Sequence, residues 1–424
     1  MKYLIKSCTV LILGALLSAC GSSSDSSSTS SNVSNRTGGF TASTTGPDGS
    51  QGSCDEQTSG VNWNALMTEN CDNLADYNLF QDPSVVTENP EAGGLEYDLS
   101  MPLFTDYASK YRFVFIPTGE QVNYSEHEVL EFPVGSVLVK TFAMPEDTAF
   151  RGENELIIET RLLIHRQDGW KALPYYWETP TEAKLAITGK SINNMNTLHN
   201  GEELDFTYQV PKASSCTSCH AIVPILTDSS DKRTAIFKPI GPKARFLNSE
   251  HDYQGSSINQ LVYWQEQGVL DGLPSDFSLI TQLDKFTDAT DISALNEEEL
   301  NTAAKAYLDI NCAHCHRSNL SLEEDNYAGA AGGSGLNVEF NREYNEDTTK
   351  FGTCKVPVAG GHEDYPYDVI PQDSANSYLL FRMSTNEQRH RMPELGRATV
   401  HKEGVELIRS WIDNLATASC TPVM

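Results

Sequence analysis

The sequence predicts an α+β multidomain chain, an N-terminal antiparallel β-sandwich followed by two mainly α-helical domains. Three observations lead there. Short β-branched and aromatic runs, divided by Gly and Pro, recur from Leu95 to about Val210. Apolar residues at helical spacing follow from Ile258 onward. Two strings, C-T-S-C-H at 216–220 and C-A-H-C-H at 312–316, punctuate that second half. In an exported chain, C-x-x-C-H is a covalent haem c attachment site: two thiols add across the porphyrin vinyl groups and the adjacent histidine ligates the iron. The helical domains are therefore expected to be cytochrome c-like, with two covalently bound haem c groups in all.

At the N-terminus, Lys2 and Lys6 precede an apolar run from Thr9 to Leu17, then L-S-A-C at 17–20. The run is too short and wrongly flanked for a membrane span, so residues 1–19 are expected to be a lipoprotein signal peptide. L-S-A-C has the form of a bacterial lipobox, which makes Cys20 the lipidation site and the lipid the membrane anchor. Gly21 rather than Asp follows, and by resemblance to sorted lipoproteins this favours the outer membrane, on its periplasmic or cell-surface side. Residues 20–53 are nearly all Ser, Thr, Gly and Asn, a tether without apolar periodicity whose reach is roughly 30 Å.

The ten cysteines divide by compartment chemistry. Cys8 leaves with the signal, Cys20 takes lipid, and Cys216, Cys219, Cys312 and Cys315 take haem. Cys54, Cys71, Cys354 and Cys420 remain, an even number in an oxidising compartment. Three pairings are open, and Cys54–Cys71 with Cys354–Cys420 keeps each bond within one domain. A zinc site built from the paired cysteines needs tetrahedral ligation and leaves the histidine after each motif without a purpose. Charge adds a boundary: 30 Lys+Arg against 58 Asp+Glu give −28, which argues against nucleic acid or anionic lipid surfaces as partners. It suits a redox protein that meets basic patches on others.

The β-rich domain is expected over 54–211, with a short helix and loop at 62–80 and strands at 111–116, 129–132, 136–142, 156–165, 170–177, 183–188 and 204–210. Trp170, Tyr175, Tyr176 and Trp177 are expected in its packing. The first haem segment, 212–292, carries a Pro-rich stretch at 238–242 and a helix predicted over Ile258 to Leu270. The second haem domain, 293–424, opens with Asn296 as a helix cap and Glu299 at the capping-box position. Leu300, Ala303, Ala304, Tyr307 and Leu308 then repeat at helical spacing and deliver Cys312. Val405, Ile408, Trp411, Ile412 and Leu415 predict a terminal helix, with R-M-P-E-L-G at 391–396 before it.

His220 and His316 are the expected proximal iron ligands. Met392 is the expected sixth ligand of the second haem, because Pro393 stops a helix and leaves the thioether on a loop. Met383 and His390 are its rivals, the first in an apolar stretch and the second between two arginines. No Met lies between Met195 and Met383, so the first haem has no downstream thioether of its own. His251 is the nearest alternative, followed by His199, Met195 and His165; an open sixth position is the other outcome. His314 has no assigned role and is expected to face solvent.

E-T-R-L-L-I-H, W-K-A-L-P-Y-Y-W-E, S-C-T-S-C-H, I-G-P-K-A-R, N-Q-L, L-D-I-N-C-A-H-C-H and R-M-P-E-L-G together resemble a family of dihaem c-type cytochrome lipoproteins of Gram-negative bacteria. The likeness spans nearly everything after the tether, and the C-terminal half also resembles cytochrome domains fused to periplasmic dehydrogenases. It implies two haems, export, a lipid anchor and electron transfer between redox protein partners. Such proteins tend to be encoded beside parallel β-helix surface proteins, which marks one candidate partner. The expected function is thus a membrane-anchored dihaem cytochrome that transfers electrons. The alternative is a peroxidase-like dihaem enzyme with an open site on the first haem, although no acid/base constellation beyond His251, Glu250 and Asp252 is evident there.

Overall fold

Strands that are apolar on both faces need cover on both, and the computed structural model shows what supplies it. The structure describes residues 53–56, 58–224, 235–317, 327–358, 365–417 and 420, all within one unit, Gly38–Met424. The expected signal peptide, most of the tether and Cys20 lie outside the described residues.

The chain begins with a layer closed by the Cys54–Cys71 disulfide. Its helix α1 (Trp63–Thr68) starts where the Asn62 side chain accepts from the Ala65 amide at 3.1 Å. Then comes an antiparallel sheet of β1 (Gly94–Glu96), β2 (Ser109–Phe115), β4 (Val137–Met144), β5 (Leu156–Arg166), β6 (Gly169–Thr179) and β7 (Glu182–Leu185), in the order β1-β2-β4-β5-β6-β7. The short β3 (Val122–Asn123) stands apart and pairs in parallel with Leu270–Asp271.

Alternation along the strands sends side chains to two different cores. Phe113, Phe115, Val137, Val139, Leu162, Ile164, Leu173 and Tyr175 pack under the N-terminal layer with Leu66, Tyr77 and Leu79. The Tyr175 hydroxyl donates to the Cys71 carbonyl at 2.7 Å and Arg166 Nε to that of Leu66, so the layer is sealed by polar contacts as well. The opposite face is shared. Phe142, Met144 and Ile158 meet Met195, Tyr208 and Val210 of the hairpin β8 (Lys190–His199) and β9 (Glu202–Val210). Val114 and Leu138 join the large core of Trp264, Tyr307, Ile310 and Trp411.

The expected β-sandwich followed by two mainly helical cytochrome c-like domains does not form. Strand makes up 27% of the chain and helix 25%, around one six-stranded sheet. The runs at 111–116, 136–142, 156–165, 170–177, 183–188 and 204–210 form strands, whereas 129–132 makes only isolated bridges and Lys190–His199 is a strand that the sequence did not announce; a second sheet is replaced by the N-terminal layer, the hairpin and the C-terminal half. The first haem segment holds only short pieces: α2 (Thr217–His220), β10 (Ala221–Pro224), β11 (Ile236–Phe237), α3 (Ala244–Leu247) and α4 (Gln260–Glu266). The helix expected over 258–270 shrinks to α4 because Ser256–Asn259 pairs with Glu250–Tyr253, and Asn259 then caps the helix.

The region from residue 293 onward keeps its two expected flanking helices. Helix α5 (Glu297–Leu308) starts at a complete Asn296/Glu299 capping box, and α7 (Lys402–Asn414) packs across it. Between them α6 (Tyr378–Ser384) carries Met383. The Cys354–Cys420 disulfide ties the intervening excursion to the chain end.

Candidate functional site

Asp309 begins a π-helical turn, Asp309–Ala313, that carries α5 into the second C-x-x-C-H string. Its fully buried carboxylate takes Lys243 Nζ at 2.9 Å and Arg245 Nη2 at 2.7 Å. Burial alone would push this carboxyl up, but Arg245 and Lys243 overcome it and hold it at about 2. The I-G-P-K-A-R and L-D-I-N-C strings are thus two halves of one buried ionic cluster. Asn311 pins the same turn to another segment: its Oδ1 accepts from Phe104 N at 3.0 Å and its Nδ2 donates to the Pro102 carbonyl at 3.0 Å. The backbone of Gly329 lies so close to the motif that a Cβ there would collide with the carbonyls of His314 and Cys315.

A cavity of about 690 Å³ opens against this turn. Leu308, Leu336, Val338 and Leu379 give it an apolar wall, with Cys312, Cys315 and His316 on one side and Met383 and Met392 also lining it. Its size falls in the range of cofactor pockets, about 300–1,000 Å³. Both methionines weighed as sulfur ligands face the cavity, whereas His390 packs at a tilt beside Phe381 outside its wall. Met392 is fixed by its own backbone: its amide donates to the Arg382 carbonyl at 2.8 Å and its carbonyl accepts from Arg397 Nε at 3.1 Å.

The two motif histidines are prepared in the same way. Nδ1 of His220 donates to the Lys238 carbonyl at 2.7 Å while the ring stacks on Phe237. Nδ1 of His316 lies 3.1 Å from the Ser334 hydroxyl. A bond at Nδ1 fixes the ring and turns Nε2 outward as the donor, the arrangement of metal-ligating imidazoles. Burial pushes both down to about 4, so both rings are neutral donors at neutral pH. Cys216, Cys219, Cys312 and Cys315 are all free thiols, as thioether formation requires.

The two motifs, 96 residues apart along the chain, meet in the fold. The Cys315 thiol donates to the Ser218 carbonyl at 3.4 Å, and Ser218 and Cys219 line the same cavity as the second motif. His314, expected in solvent, stands instead with Cys219 and Cys315, the three ligand atoms within 4.8 Å of one another, and its Nδ1 is buried without a hydrogen-bond partner. Hydrogen bonding from Cys315, with His314 behind it, holds the Cys219 thiol low, and burial pushes Cys216 up to about 11 and Cys312 to about 12. No local signal could have disclosed a contact between residues so far apart in sequence.

The other expected ligands of the first motif are placed elsewhere. His251 lies beside Glu96 and Tyr253, at the β1 edge of the sheet, while the first motif packs on β6 with three strands between. His199 is engaged at both nitrogens, by Thr148 Oγ1 and by Glu403, each at 2.9 Å. Met195 is buried beside Tyr208, and His165 stacks on Trp170 with Nδ1 on the Phe132 carbonyl. No family model, curated protein or solved structure matches the chain.

Proposed function

We propose that the chain is an exported, lipid-anchored dihaem c-type cytochrome that passes electrons between redox proteins. The observation that carries this reading is convergence: Cys312, Cys315, His316 and Met392 line one apolar cavity, and Cys219 of the other motif stands at its edge. The residues fit the group. Four free thiols and two imidazoles with Nδ1 already bonded suit two attachment motifs, and a cavity of cofactor size lies at the second of them. When bound, haem c supplies a one-electron iron couple, and Met/His ligation raises its potential.

Everything else falls to the protein. Cys216 and Cys219 with His220, and Cys312 and Cys315 with His316, are the attachment and proximal sets. Leu308, Leu336, Val338 and Leu379 exclude water from the second site. The contact between Ser218 and Cys315 sets the two attachment motifs side by side, the placement that an internal relay needs. Acyl Cys20 anchors the chain to the outer membrane, and the −28 charge selects basic faces on its partners, with a parallel β-helix surface protein as one candidate.

A second reading has its own support. His199 is bonded at both nitrogens and His251 stands at the far edge of the sheet, which favours an open sixth position and peroxidase-like chemistry at the first motif. Optical spectra of the pure protein, oxidised and reduced, with and without carbon monoxide or cyanide, separate the two. Two low-spin haems that ignore both ligands establish the carrier; one high-spin haem that binds them establishes the open site. A protein without covalent haem removes both readings and leaves Cys219, His314 and Cys315 as a site for a thiophilic ion.

A further inference from the structure

Behind the cavity wall lies a second set of converging donors that the haem reading does not use. His401 immediately precedes α7 and Glu403 sits in its first turn, while Asp288 comes from the loop that follows Phe286. The imidazole nitrogen of His401 and carboxylate oxygens of Asp288 and Glu403 lie within 4.8 Å of one another. We propose that Asp288, His401 and Glu403 form a binding site for one divalent first-row transition cation.

Each ligand is oriented by an outer partner. His401 Nδ1 bonds the Tyr307 hydroxyl at 2.9 Å, and the ring stacks on Phe104 with centroids 4.3 Å apart, which turns Nε2 toward the carboxylates. Gly404 permits this, since a Cβ there would collide with the Tyr307 hydroxyl. Glu403 Oε1 is held by His199 Nε2 at 2.9 Å, and Oε2 by the Tyr107 hydroxyl at 2.9 Å. His199 is itself braced at Nδ1 by Thr148 and stacked on Tyr107. Arg151 holds Asp288 Oδ2 at 2.6 Å and leaves Oδ1 free to turn inward. Hydrogen bonds that hold every ligand from behind are the habit of metal centres.

The spacing points the same way. His401 Nε2 stops 3.8 Å from Glu403 Oε2, too far for a hydrogen bond between two neighbouring groups that could readily make one. Two donors that each lie about 2.1 Å from one ion stand roughly 3–4 Å apart. The set contains one nitrogen, two carboxylates and no sulfur, which selects Mn²⁺, Fe²⁺ or Zn²⁺ over copper(I). Asp288 is 27% exposed and leaves a path for the ion and open coordination positions for water. His401 and Tyr307 also line the cavity, so this site and the haem pocket share a wall.

The proposal stands apart from the haem reading, and its test must avoid the motif thiols. Mn²⁺ is the probe because it favours oxygen and nitrogen ligands over sulfur. Equilibrium dialysis of the full-length protein, read by elemental analysis and by the electron paramagnetic resonance of bound Mn²⁺, should find one ion per chain. Asp288→Asn, a near-isosteric change at a partly exposed loop residue, should weaken binding at least tenfold, and Tyr307→Phe should weaken it by about 10–100-fold through the His401 ring. Retention of no Mn²⁺ by the wild type overturns the site, as does unchanged affinity in Asp288→Asn. Should that variant misfold, His401→Gln carries the same expectation and the same power to refute.

Discussion

Asp309 and Arg245, 64 residues apart, are joined by a 2.7 Å contact with no access to solvent, and Lys243 completes the cluster from the same short segment. Removal of the carboxylate by Asp309→Ala leaves two buried cations without compensation. The expected cost is about 3–5 kcal/mol, read from the urea midpoint.

The same group fixes an acid limit. Its folded pKa is depressed from 3.8 to about 2, so the unfolded chain takes up the proton first. The stability it contributes is fully present above about pH 4 and is lost as pH falls toward 2, on the order of 2 kcal/mol. Urea midpoints between pH 5 and pH 2 should fall more steeply in the wild type than in Asp309→Asn; parallel curves would show that Asp309 is not the titrating group.

Covalent attachment can be counted. Cys312→Ala or Cys315→Ala should leave a single covalent haem by intact mass and by the pyridine haemochrome. Two haems retained in either variant would sink the assignment of the second motif.

Met392 and Met383 both reach the cavity, and only one can supply the thioether. Met392→Ala should abolish the far-red sulfur-to-iron charge-transfer band while Met383→Ala leaves it in place. The reverse pattern transfers the role to α6.

The two disulfides close loops of different length, 17 and 66 residues. Chain-entropy arguments give about 3 kcal/mol for the shorter and about 4 kcal/mol for the longer. Thermal melts of the Cys54→Ser/Cys71→Ser and Cys354→Ser/Cys420→Ser pairs should therefore rank in that order, with the second pair the more damaged.

What the sequence discloses tracks how local the cause is. Helix α5 is legible because its Asn296/Glu299 box and its apolar spacing lie within one stretch of chain, and α7 because Val405, Ile408, Trp411 and Ile412 repeat on one side. The apolar strands β2, β4, β5, β6, β7 and β9 are legible for the same reason. Their cover is not: Phe113 and Val114 are neighbours that enter different cores, and nothing near them says that one core is an N-terminal layer and the other a set of helices. The helix expected over 258–270 is shorter because a hairpin takes Ser256–Asn259 and the chain turns left-handed at Gly268 beyond its end. His314 was misplaced because its neighbour, Cys219, comes from another part of the chain.

β5 and β6, each 11 residues, run in the interior, while the edges are the three-residue β1 and the four-residue β7. On β7 the ion pair of Glu182 and Lys184 adds charge to an already brief edge. A neighbouring copy finds little bare backbone on which to add a strand. Long hydrophobic strands are thereby kept from seeding aggregates, even where a lipid anchor would hold many copies at high local concentration.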